Sequence, residues 1–316
     1  MVNTLDTLAS DYRALTEGCG LVDRAGRGRL ALTGPERREF LHGQVTNDIE
    51  ALEPGQGCYA AFLTHKGKML GDLRVLNLGD ELFLDTERIS LQELFNMIRR
   101  FKLGRDVELH KRTVERGLLS LVGPGAREAA GADALGPAEH DNAAGEIGGV
   151  PVRLVATAAG VDLICDADRT GDLKAALAAV PEVSEAAAEV VRVESGRPRY
   201  GLDLDESVIP QEAGLNERAV SFTKGCYVGQ ETVARLFYRG KPNRHLRGLR
   251  LSEPAATGDE LRLGDRVVGR LGSSVVSPAL GPIGLAIVRR EAAPGDTVTV
   301  GDSGVTATLV ELPFQE

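Results

Sequence analysis

The strongest constraint on the fold of this chain is a short sequence pattern that occurs twice. Residues 30–39 (LALTGPERRE) resemble residues 119–128 (LSLVGPGARE), and residues 82–88 (LFLDTER) resemble residues 163–169 (LICDADR). The first segment of each copy predicts a strand, a Gly-Pro turn and a helix, and the second predicts a strand, an Asp-containing turn and a helix. The sequence therefore predicts two related α+β units, at roughly 20–115 and 116–200.

Extended segments lie between these repeated patterns. Residues 58–63 and 69–78 predict two strands joined by a short polar turn, and residues 150–156 and 160–165 predict a second hairpin. Residues 136–149 are polar and contain several glycines, so we predict a surface loop there. Short strands and helices mixed in this order favour α+β layers over a regular alternation of strands and helices.

The character of the chain changes after about residue 240. Gly-Asp pairs begin at Gly258, Gly264, Gly295 and Gly301, and they separate short β-rich runs at 267–271, 283–288, 297–300 and 305–309. Turn signals at this density are typical of a small β-barrel or sandwich. We therefore predict one domain over residues 1–240, whose last part (201–240) is a linker and a cysteine motif, and a C-terminal barrel over 241–316.

Composition excludes several classes of function. The net charge of −9 argues against nonspecific nucleic-acid binding, which depends on neutralising phosphates. The four cysteines are scattered with no Cys-x-x-Cys pair, and the histidines show no metal-ligand spacing, so we expect no permanent metal or iron–sulfur cluster. With no signal peptide or membrane span expected, such cysteine usage predicts a reducing, cytoplasmic setting.

One cysteine lies in a motif that suggests chemistry. Residues 224–231 read KGCYVGQE, so Cys226 stands between two glycines and near Lys224 and Arg235. A cysteine reacts as its thiolate, which nearby cations and helix N-termini favour. The alternative is a glycine-rich turn with a small buried cysteine, since cysteine is among the most often buried residues. The residues alone leave both interpretations open.

The residues after this cysteine predict a helix over about 228–238. Glu231 and Arg235 have the i, i+4 spacing of a helical ion pair, and Cys226 would precede the helix N-terminus. Gly225 and Gly229 permit positive φ or close backbone approach.

The motif at 224–231 resembles the signature of the YgfZ-type folate-binding proteins, which are relatives of the glycine-cleavage T-protein, an aminomethyltransferase. Lys224, Gly225, Cys226, Tyr227, Gly229, Gln230 and Glu231 carry this resemblance. Segments at 43–48, 67–73, 192–201, 210–215, 273–278 and 284–286 also resemble the family. The resemblance covers nearly the whole chain.

This resemblance implies an α+β, T-protein-like fold: two duplicated units around a central folate pocket, plus a small C-terminal β-barrel. It implies a protein that binds tetrahydrofolate or a one-carbon derivative and supports the assembly or repair of iron–sulfur enzymes. Cys226 would be a functional thiol that contacts client or assembly proteins transiently. The alternatives are a folate-dependent aminomethyltransferase or related one-carbon transferase, and an interaction module that has lost folate binding. Nothing in the sequence predicts an obligate oligomer, so we expect a monomer.

The resemblance also implies individual site residues. Asp72 matches a functional aspartate of the T-protein relatives, and Arg192 matches a residue that contacts the glutamate tail of folate. Met69 and Tyr227 are candidates to line an apolar slot for the pterin ring. Each has a structural alternative: a surface pair with Arg74 for Asp72, an ion pair with Glu189 or Glu194 for Arg192, and core packing for Met69.

Two departures from the family pattern count against aminomethyl transfer. Aminomethyltransferases carry a Gly-Tyr-Thr-Gly-Glu-like segment whose carboxylate contacts the pterin, whereas residues 157–162 here read TAAGVD. Asp162 is at best a displaced substitute for that glutamate. The aspartate pair of the central strand is also reduced, to Gly71 and Asp72.

Overall fold

A computed structural model describes residues 4–315 of the chain, which form two compact units. Unit 1 draws on residues 4–62, Leu70–Ala188 and Arg218–Val228. Unit 2 draws on Leu63–Met69, Glu189–Glu217 and residues 229–315. Each unit is therefore assembled from segments that are distant in sequence.

The elements up to residue 194 alternate between short strands and short helices. In chain order they are α1 (Thr4–Glu17), β1 (Gly20–Asp23), β2 (Gly28–Thr33), α2 (Arg37–His42), β3 (Gly57–Leu63), β4 (Met69–Asn77), β5 (Leu82–Thr86), α3 (Leu91–Phe101), β6 (Glu108–Lys111), β7 (Arg116–Val122), α4 (Ala126–Ala129), β8 (Asn142–Ile147), β9 (Val150–Thr157), β10 (Gly160–Asp166), α5 (Thr170–Ala176) and α6 (Glu185–Glu194). Single 3-10 turns at Arg88–Ser90 and Ala167–Arg169 precede α3 and α5.

The strands of unit 1 form two five-stranded antiparallel sheets. The first has the order β3-β4-β5-β2-β6, and the second has the order β1-β7-β10-β9-β8. The predicted α+β fold with two related repeats is confirmed, and both repeats lie in unit 1. β2 and α2 of the first repeat correspond to β7 and α4 of the second, and β5 and α3 correspond to β10 and α5.

The backbone geometry of the two Gly-Pro turns explains why both copies of the pattern contain a glycine at this position. Gly34 and Gly123 both have positive φ, at 95° and 124°. A Cβ on Gly34 would lie 2.4 Å from the carbonyl oxygen of Asp106, and one on Gly123 would lie 2.4 Å from that of Gly18. Only glycine satisfies both the backbone conformation and the close approach at each turn.

The two sheets of unit 1 meet along an apolar cluster that we call the inter-sheet seam. It consists of Leu76, Phe83, Leu118, Val155 and Ile164. The opposite face of the first sheet packs against α3 through a separate cluster that includes Leu94 and Ile98. Because β5 is covered on both faces, all of its residues are buried.

Unit 2 contains the C-terminal barrel that the turn signals predicted. After α7 (Asn216–Ala219) and α8 (Gln230–Arg239), the strands are β11 (Arg244–Leu251), β12 (Glu260–Leu263), β13 (Arg266–Ser277), β14 (Gly281–Arg289), β15 (Thr297–Val300) and β16 (Val305–Val310). They close in the order β11-β14-β13-β12-β15-β16. The interior is a cluster of aliphatic side chains such as Leu249, Leu271 and Val298.

One predicted loop is wrong. Residues 142–147 form β8, which pairs with β9 at the edge of the second sheet. The strand is rich in alanine and glycine, and its residues alternate between partial and full exposure after Asn142. Its sequence therefore has no hydrophobic strand pattern, and the ladder with β9 determines its conformation. Within residues 4–315, no helix is both long and apolar enough to span a bilayer.

Candidate functional site

Asp72 is buried on β4 and has one close side-chain partner. The Tyr59 hydroxyl on β3 donates to its Oδ2 at 2.6 Å. The Thr86 hydroxyl on β5 donates to the backbone carbonyl of Asp72, which fixes this part of the strand. Among residues 4–315, no group donates a hydrogen bond to Oδ1 of Asp72. The carboxyl group therefore has one oxygen that no protein group uses.

The environment of Asp72 disfavours its charge. Burial raises the pKa of Asp72 to about 6; the hydrogen bond from Tyr59 opposes this rise, and the charge of Glu87 adds to it. The surface pair with Arg74 that we considered is wrong, because Asp72 is only 5% exposed and Arg74 pairs with other carboxylates. A buried carboxyl group that titrates near neutrality can exchange a proton at physiological pH.

The guanidinium of Arg74 lies between two buried aspartates. Its Nε donates to Asp85 at 2.7 Å, and its Nη1 donates to Asp162 on β10. Asp162 also accepts the Ser120 hydroxyl at 2.6 Å, and Arg27 donates from Nε to both oxygens of Asp85. These ion pairs connect the two sheets beside the inter-sheet seam. With Arg74 and Ser120 bound to it, Asp162 is poorly placed to replace the missing pterin glutamate.

Tyr59 is held from its other side by a cation. The Arg218 guanidinium lies 5.0 Å from the centre of the Tyr59 ring, and it also contacts Glu139 at 3.5 Å. The backbone carbonyl of Tyr59 accepts the Asn47 side-chain amide at 2.8 Å. Tyr59 is thus fixed at its ring, hydroxyl and backbone. Burial and the neighbouring Asp72 raise the pKa of Tyr59, so the phenol remains a proton donor.

Lys224 of the cysteine motif is a buried structural link. Its ammonium donates to the backbone carbonyls of His42, Val45 and Asn47, the last two at 2.8 and 2.9 Å. Burial lowers the pKa of Lys224 to about 8, which leaves it protonated at neutral pH. All three protons of the ammonium have acceptors, so Lys224 fixes the motif to the turn after α2. This differs from our expectation that it would act on the Cys226 thiol.

Tyr227 packs against that link. The Lys224 ammonium lies 5.0 Å from the centre of its ring, and the side chain is 8% exposed. Burial raises the pKa of Tyr227 to about 12. The adjacent residue Val228 donates its backbone N–H to the carbonyl of Gly43 at 3.3 Å. The motif loop is therefore anchored on both sides of the cysteine, at Lys224 before it and at Tyr227 and Val228 after it.

Cys226 itself is exposed and is a free thiol, and its neighbour Gly225 is also exposed. The helix α8 begins at Gln230, four residues further along the chain. Glu231 and Arg235 are exposed on this helix. Among residues 4–315 they form no ion pair with each other, so the i, i+4 pair that we predicted is wrong. Exposed pairs of this kind contribute little to stability, so side-chain entropy outweighs the attraction.

The backbone geometry at Gly229 explains why the motif has a second glycine. Its φ is 84°, and a Cβ would lie 2.5 Å from the carbonyl oxygen of Thr64. Gly67 approaches from the same turn, since its Cβ would lie 3.3 Å from the carbonyl oxygen of Gly229. These two glycines of unit 2 let the start of α8 and the β3–β4 turn come into backbone contact.

In unit 2, Arg192 already has several protein partners. Its guanidinium contacts Glu189 at 2.7 Å and Asp203 at 3.1 Å, and it donates to the Ser273 hydroxyl. The structural alternative that we considered, an ion pair with Glu189, is what the structure contains. Glu194 is not the partner; its carboxylate accepts the Ser277 hydroxyl. Arg192 would have to exchange one of these contacts to hold the carboxylate of a ligand.

Met69, also in unit 2, is fully buried. Its backbone N–H donates to Val208 at 2.9 Å, and its carbonyl accepts the Tyr200 hydroxyl at 3.4 Å. These contacts are those of a core residue. The predicted set therefore divides into Asp72, Cys226 and Tyr227 in unit 1 and Arg192 and Met69 in unit 2.

Sequence reasoning missed Tyr59 and Arg218. A partial signal for Tyr59 was present, because the predicted strands 58–63 and 69–78 form a hairpin closed between Thr64 and Lys68, which brings Tyr59 and Asp72 into the same part of the sheet. Counting outward from that turn places Tyr59 opposite Leu73, so the contact with Asp72 depends on the register of the folded strands. Arg218 had no such signal, since it is far along the chain and reaches Tyr59 only through the tertiary fold. Among the described residues, no three His, Cys, Asp or Glu side chains form a metal-binding group.

Two related α+β sheets followed by a closed six-stranded barrel define a T-protein-like fold. The chain belongs to the glycine cleavage T-protein family: residues 3–224 match the GCVT N-terminal domain, and residues 244–315 match the glycine cleavage T-protein C-terminal barrel domain. This confirms the T-protein part of the resemblance that the sequence motifs carried.

Individual relatives agree with this assignment. At1g60990 of Arabidopsis thaliana, a protein whose name describes a candidate chloroplastic transferase, is 28% identical over 99% of this chain and 75% of its own length. The aminomethyltransferase of Halothermothrix orenii is 28% identical over 98% of this chain and 91% of its own. The crystal structure of glycine cleavage system aminomethyltransferase T from Bartonella henselae has the same fold, with a TM-score of 0.86 at 21% identity over 97% of this chain and 89% of that one.

Proposed function

We propose that this protein is a YgfZ-type member of the family. It binds tetrahydrofolate or a one-carbon derivative at Asp72 and supports the assembly or repair of iron–sulfur enzymes, with Cys226 as its functional thiol. The observation that carries the folate part is the Oδ1 atom of Asp72, which accepts no hydrogen bond from residues 4–315.

The chemistry of Asp72 fits a folate ring. Tetrahydrofolate, when bound, supplies ring nitrogens that carry protons or one-carbon groups. A carboxylate with one unused oxygen can accept a hydrogen bond from such a nitrogen, while Tyr59 holds the other oxygen. With a pKa of about 6, Asp72 is also able to move a proton at that atom.

The exposure of Cys226 supports its role as a thiol that meets other proteins. Burial raises the pKa of each of the other three cysteines, Cys19, Cys58 and Cys165, which disfavours their thiolates. Cys226 is exposed, and the contacts of Lys224 and Tyr227 hold the backbone around it. An exposed thiol on a fixed loop is accessible to a partner without local unfolding.

Calorimetric titration of tetrahydrofolate under reducing conditions tests the folate site. Wild type and Cys226→Ala should bind saturably, and Asp72→Asn should bind about tenfold or more weakly because it loses a charge-assisted hydrogen bond. Asp168→Asn, an exposed aspartate in unit 1, is the matched control and should bind as wild type. Absence of binding by wild type, or unchanged binding by Asp72→Asn, would refute the site.

Complementation tests the thiol. In a strain that lacks this protein and has reduced iron–sulfur enzyme activity, wild type and Cys19→Ala should restore activity, whereas Cys226→Ala should not. If Cys226→Ala restores activity fully, the thiol role is wrong. If wild type restores nothing although it binds folate, the iron–sulfur role is wrong and the folate site stands.

A one-carbon transferase is the second candidate function. It is favoured by Asp72, whose pKa of about 6 lets the carboxyl group exchange a proton near neutral pH. Formation of methylene-tetrahydrofolate from glycine-cleavage, sarcosine or dimethylglycine-type donors would support this function. No turnover with all three donor types would exclude it for those substrates. The occupied Asp162 and Arg192 make us rank it below the accessory function.

Three further statements made from the sequence remain predictions. They are the domain boundary near residue 240, the monomeric state and the cytoplasmic setting. An Arabidopsis relative whose name specifies the chloroplast shows that location varies among similar proteins.

A further inference from the structure

An open cavity of about 400 Å³ lies in unit 1, at the end of the inter-sheet seam away from Asp72. Its apolar lining includes Leu78, Phe83 and Ile164, and its charged lining includes Asp80 and Arg153. A volume of this size is within the range of small-molecule sites, roughly 300–1,000 Å³. Neither the T-protein assignment nor the Asp72 site accounts for it.

The cavity is separate from the Asp72 site. β4 runs from Asp72 through Leu76 towards Leu78, and a strand rises about 3.3 Å per residue, so the two sites are roughly 20 Å apart. The apolar side chains of the seam fill the space between them, including Leu118 and Val155. A ligand in the cavity would therefore not touch Asp72 or Tyr59.

Most charges around the cavity neutralise one another. Arg112 pairs with Glu81 at 3.0 Å, and Arg116 pairs with Asp166. The lining contains three arginines and three carboxylates in all. Because these charges balance, the cavity has no net attraction for a multiply charged anion or cation.

Arg153 and Asp80 remain after this pairing. Arg153 is half-buried on β9, between Ala144 of β8 and Ile164 of β10. Among residues 4–315, its guanidinium forms no hydrogen bond or ion pair, and neither does the exposed carboxylate of Asp80. Burial lowers the pKa of Arg153, and the charge of Asp80 is the largest opposing effect. The two groups are thus near enough to interact and too far apart to touch.

We infer that this cavity binds a small zwitterion of amino-acid size with an apolar side chain. Its carboxylate would lie on the Arg153 guanidinium, since an arginine fork matches a carboxylate. Its ammonium would lie towards Asp80, and its side chain would cover Leu78, Phe83 and Ile164. One ligand would then bridge the two unpaired charges and bury the apolar surface between them.

Calorimetry with four probes tests each part of this proposal. L-phenylalanine should bind wild type saturably. 3-Phenylpropanoate lacks the ammonium, 2-phenylethylamine lacks the carboxylate and L-alanine lacks the large apolar group, so each should bind about tenfold or more weakly. Arg153→Gln and Asp80→Asn should each weaken phenylalanine binding by about tenfold or more.

Arg99→Gln, an exposed arginine on α3 that does not line the cavity, is the matched control and should bind phenylalanine as wild type. Tetrahydrofolate binding should be unchanged in all three variants, which also shows that they are folded. No phenylalanine binding by wild type at millimolar concentration would overturn the proposal. So would unchanged binding by Arg153→Gln, or 3-phenylpropanoate binding as tightly as phenylalanine.

Discussion

Asp72 and Asp85 are buried on adjacent strands of one sheet, yet their surroundings favour the charged form of Asp85 and disfavour that of Asp72. Two arginines, Arg27 and Arg74, donate to Asp85 and occupy both of its oxygens. Asp72 has only the neutral Tyr59 hydroxyl on one oxygen. The pKa of Asp85 falls to about 2, because the two arginines outweigh its burial, whereas burial raises that of Asp72 to about 6.

This difference separates a structural carboxylate from a functional one. A buried charge with two cations and no remaining acceptor sites connects elements of the fold. A buried carboxyl group without a cation costs stability in its charged form and leaves an oxygen available to a ligand. Proteins retain such unfavourable groups where they bind or react, so Asp72 is the better candidate for function.

Removal of the cation between Asp85 and Asp162 should have the largest effect. Arg74→Met leaves Asp85 with Arg27 alone and Asp162 with Ser120 alone, so we expect a loss of about 3–5 kcal/mol in the free energy of unfolding. Urea denaturation measures this. Arg105→Met breaks only an exposed pair with Glu36 and Glu39 and should cost far less than Arg74→Met. Equal losses in the two variants would show that the buried network is not structural.

Removal of the Asp72 charge should have the opposite sign. Between about pH 4 and pH 6 the folded protein binds a proton at Asp72 that the unfolded chain does not, so the contribution of Asp72 to stability falls as the pH rises through this window. Asp72→Asn should therefore be more stable than wild type by about 1–3 kcal/mol at pH 7, with no gain near pH 4. Urea denaturation at both pH values measures this.

A second group sharpens that experiment. Burial lowers the pKa of His140 to about 4, so its contribution to stability rises between about pH 4 and pH 6.5. In wild type this rise opposes the fall from Asp72. Asp72→Asn should expose it as a clear increase in stability with pH. If Asp72→Asn is less stable than wild type at pH 7, the buried charge is better compensated than its contacts indicate.

Loss of the Tyr59 hydroxyl should have the smallest effect on stability. Tyr59→Phe removes the hydrogen bond that favours the ionised form, so the pKa of Asp72 should rise above about 6 and stability at pH 7 should fall by about 1 kcal/mol. Carboxyl-carbon NMR of the variant measures the pKa. An unchanged pKa would mean that the hydroxyl does not orient Asp72.

The fold could largely be predicted from local sequence signals. The Gly-Pro turns at Gly34 and Gly123 and the Gly-Asp turns at Gly258 and Gly295 all place glycine at positive φ, which is a local signal for the end of a strand. β8 could not be predicted, because its strand conformation depends on pairing with β9 and not on its own side chains.

The site could be predicted only in part. A motif located Asp72 and Cys226, but no local pattern shows that Arg74 turns away from Asp72 to bridge Asp85 and Asp162. Likewise, the three carbonyl partners of Lys224 are about 180 positions away in the chain, so its role as a link is a tertiary property.

Direct titration of the two aspartates tests the central claim. Carboxyl-carbon NMR of the aspartate-labelled protein, with the Asp72 signal assigned by its absence in Asp72→Asn, gives both pKa values. We expect Asp72 to titrate near about 6 and Asp85 to stay ionised down to about 2. An Asp72 that titrates at or below the ordinary aspartate value would contradict the account, because its burial would then not set it apart from Asp85.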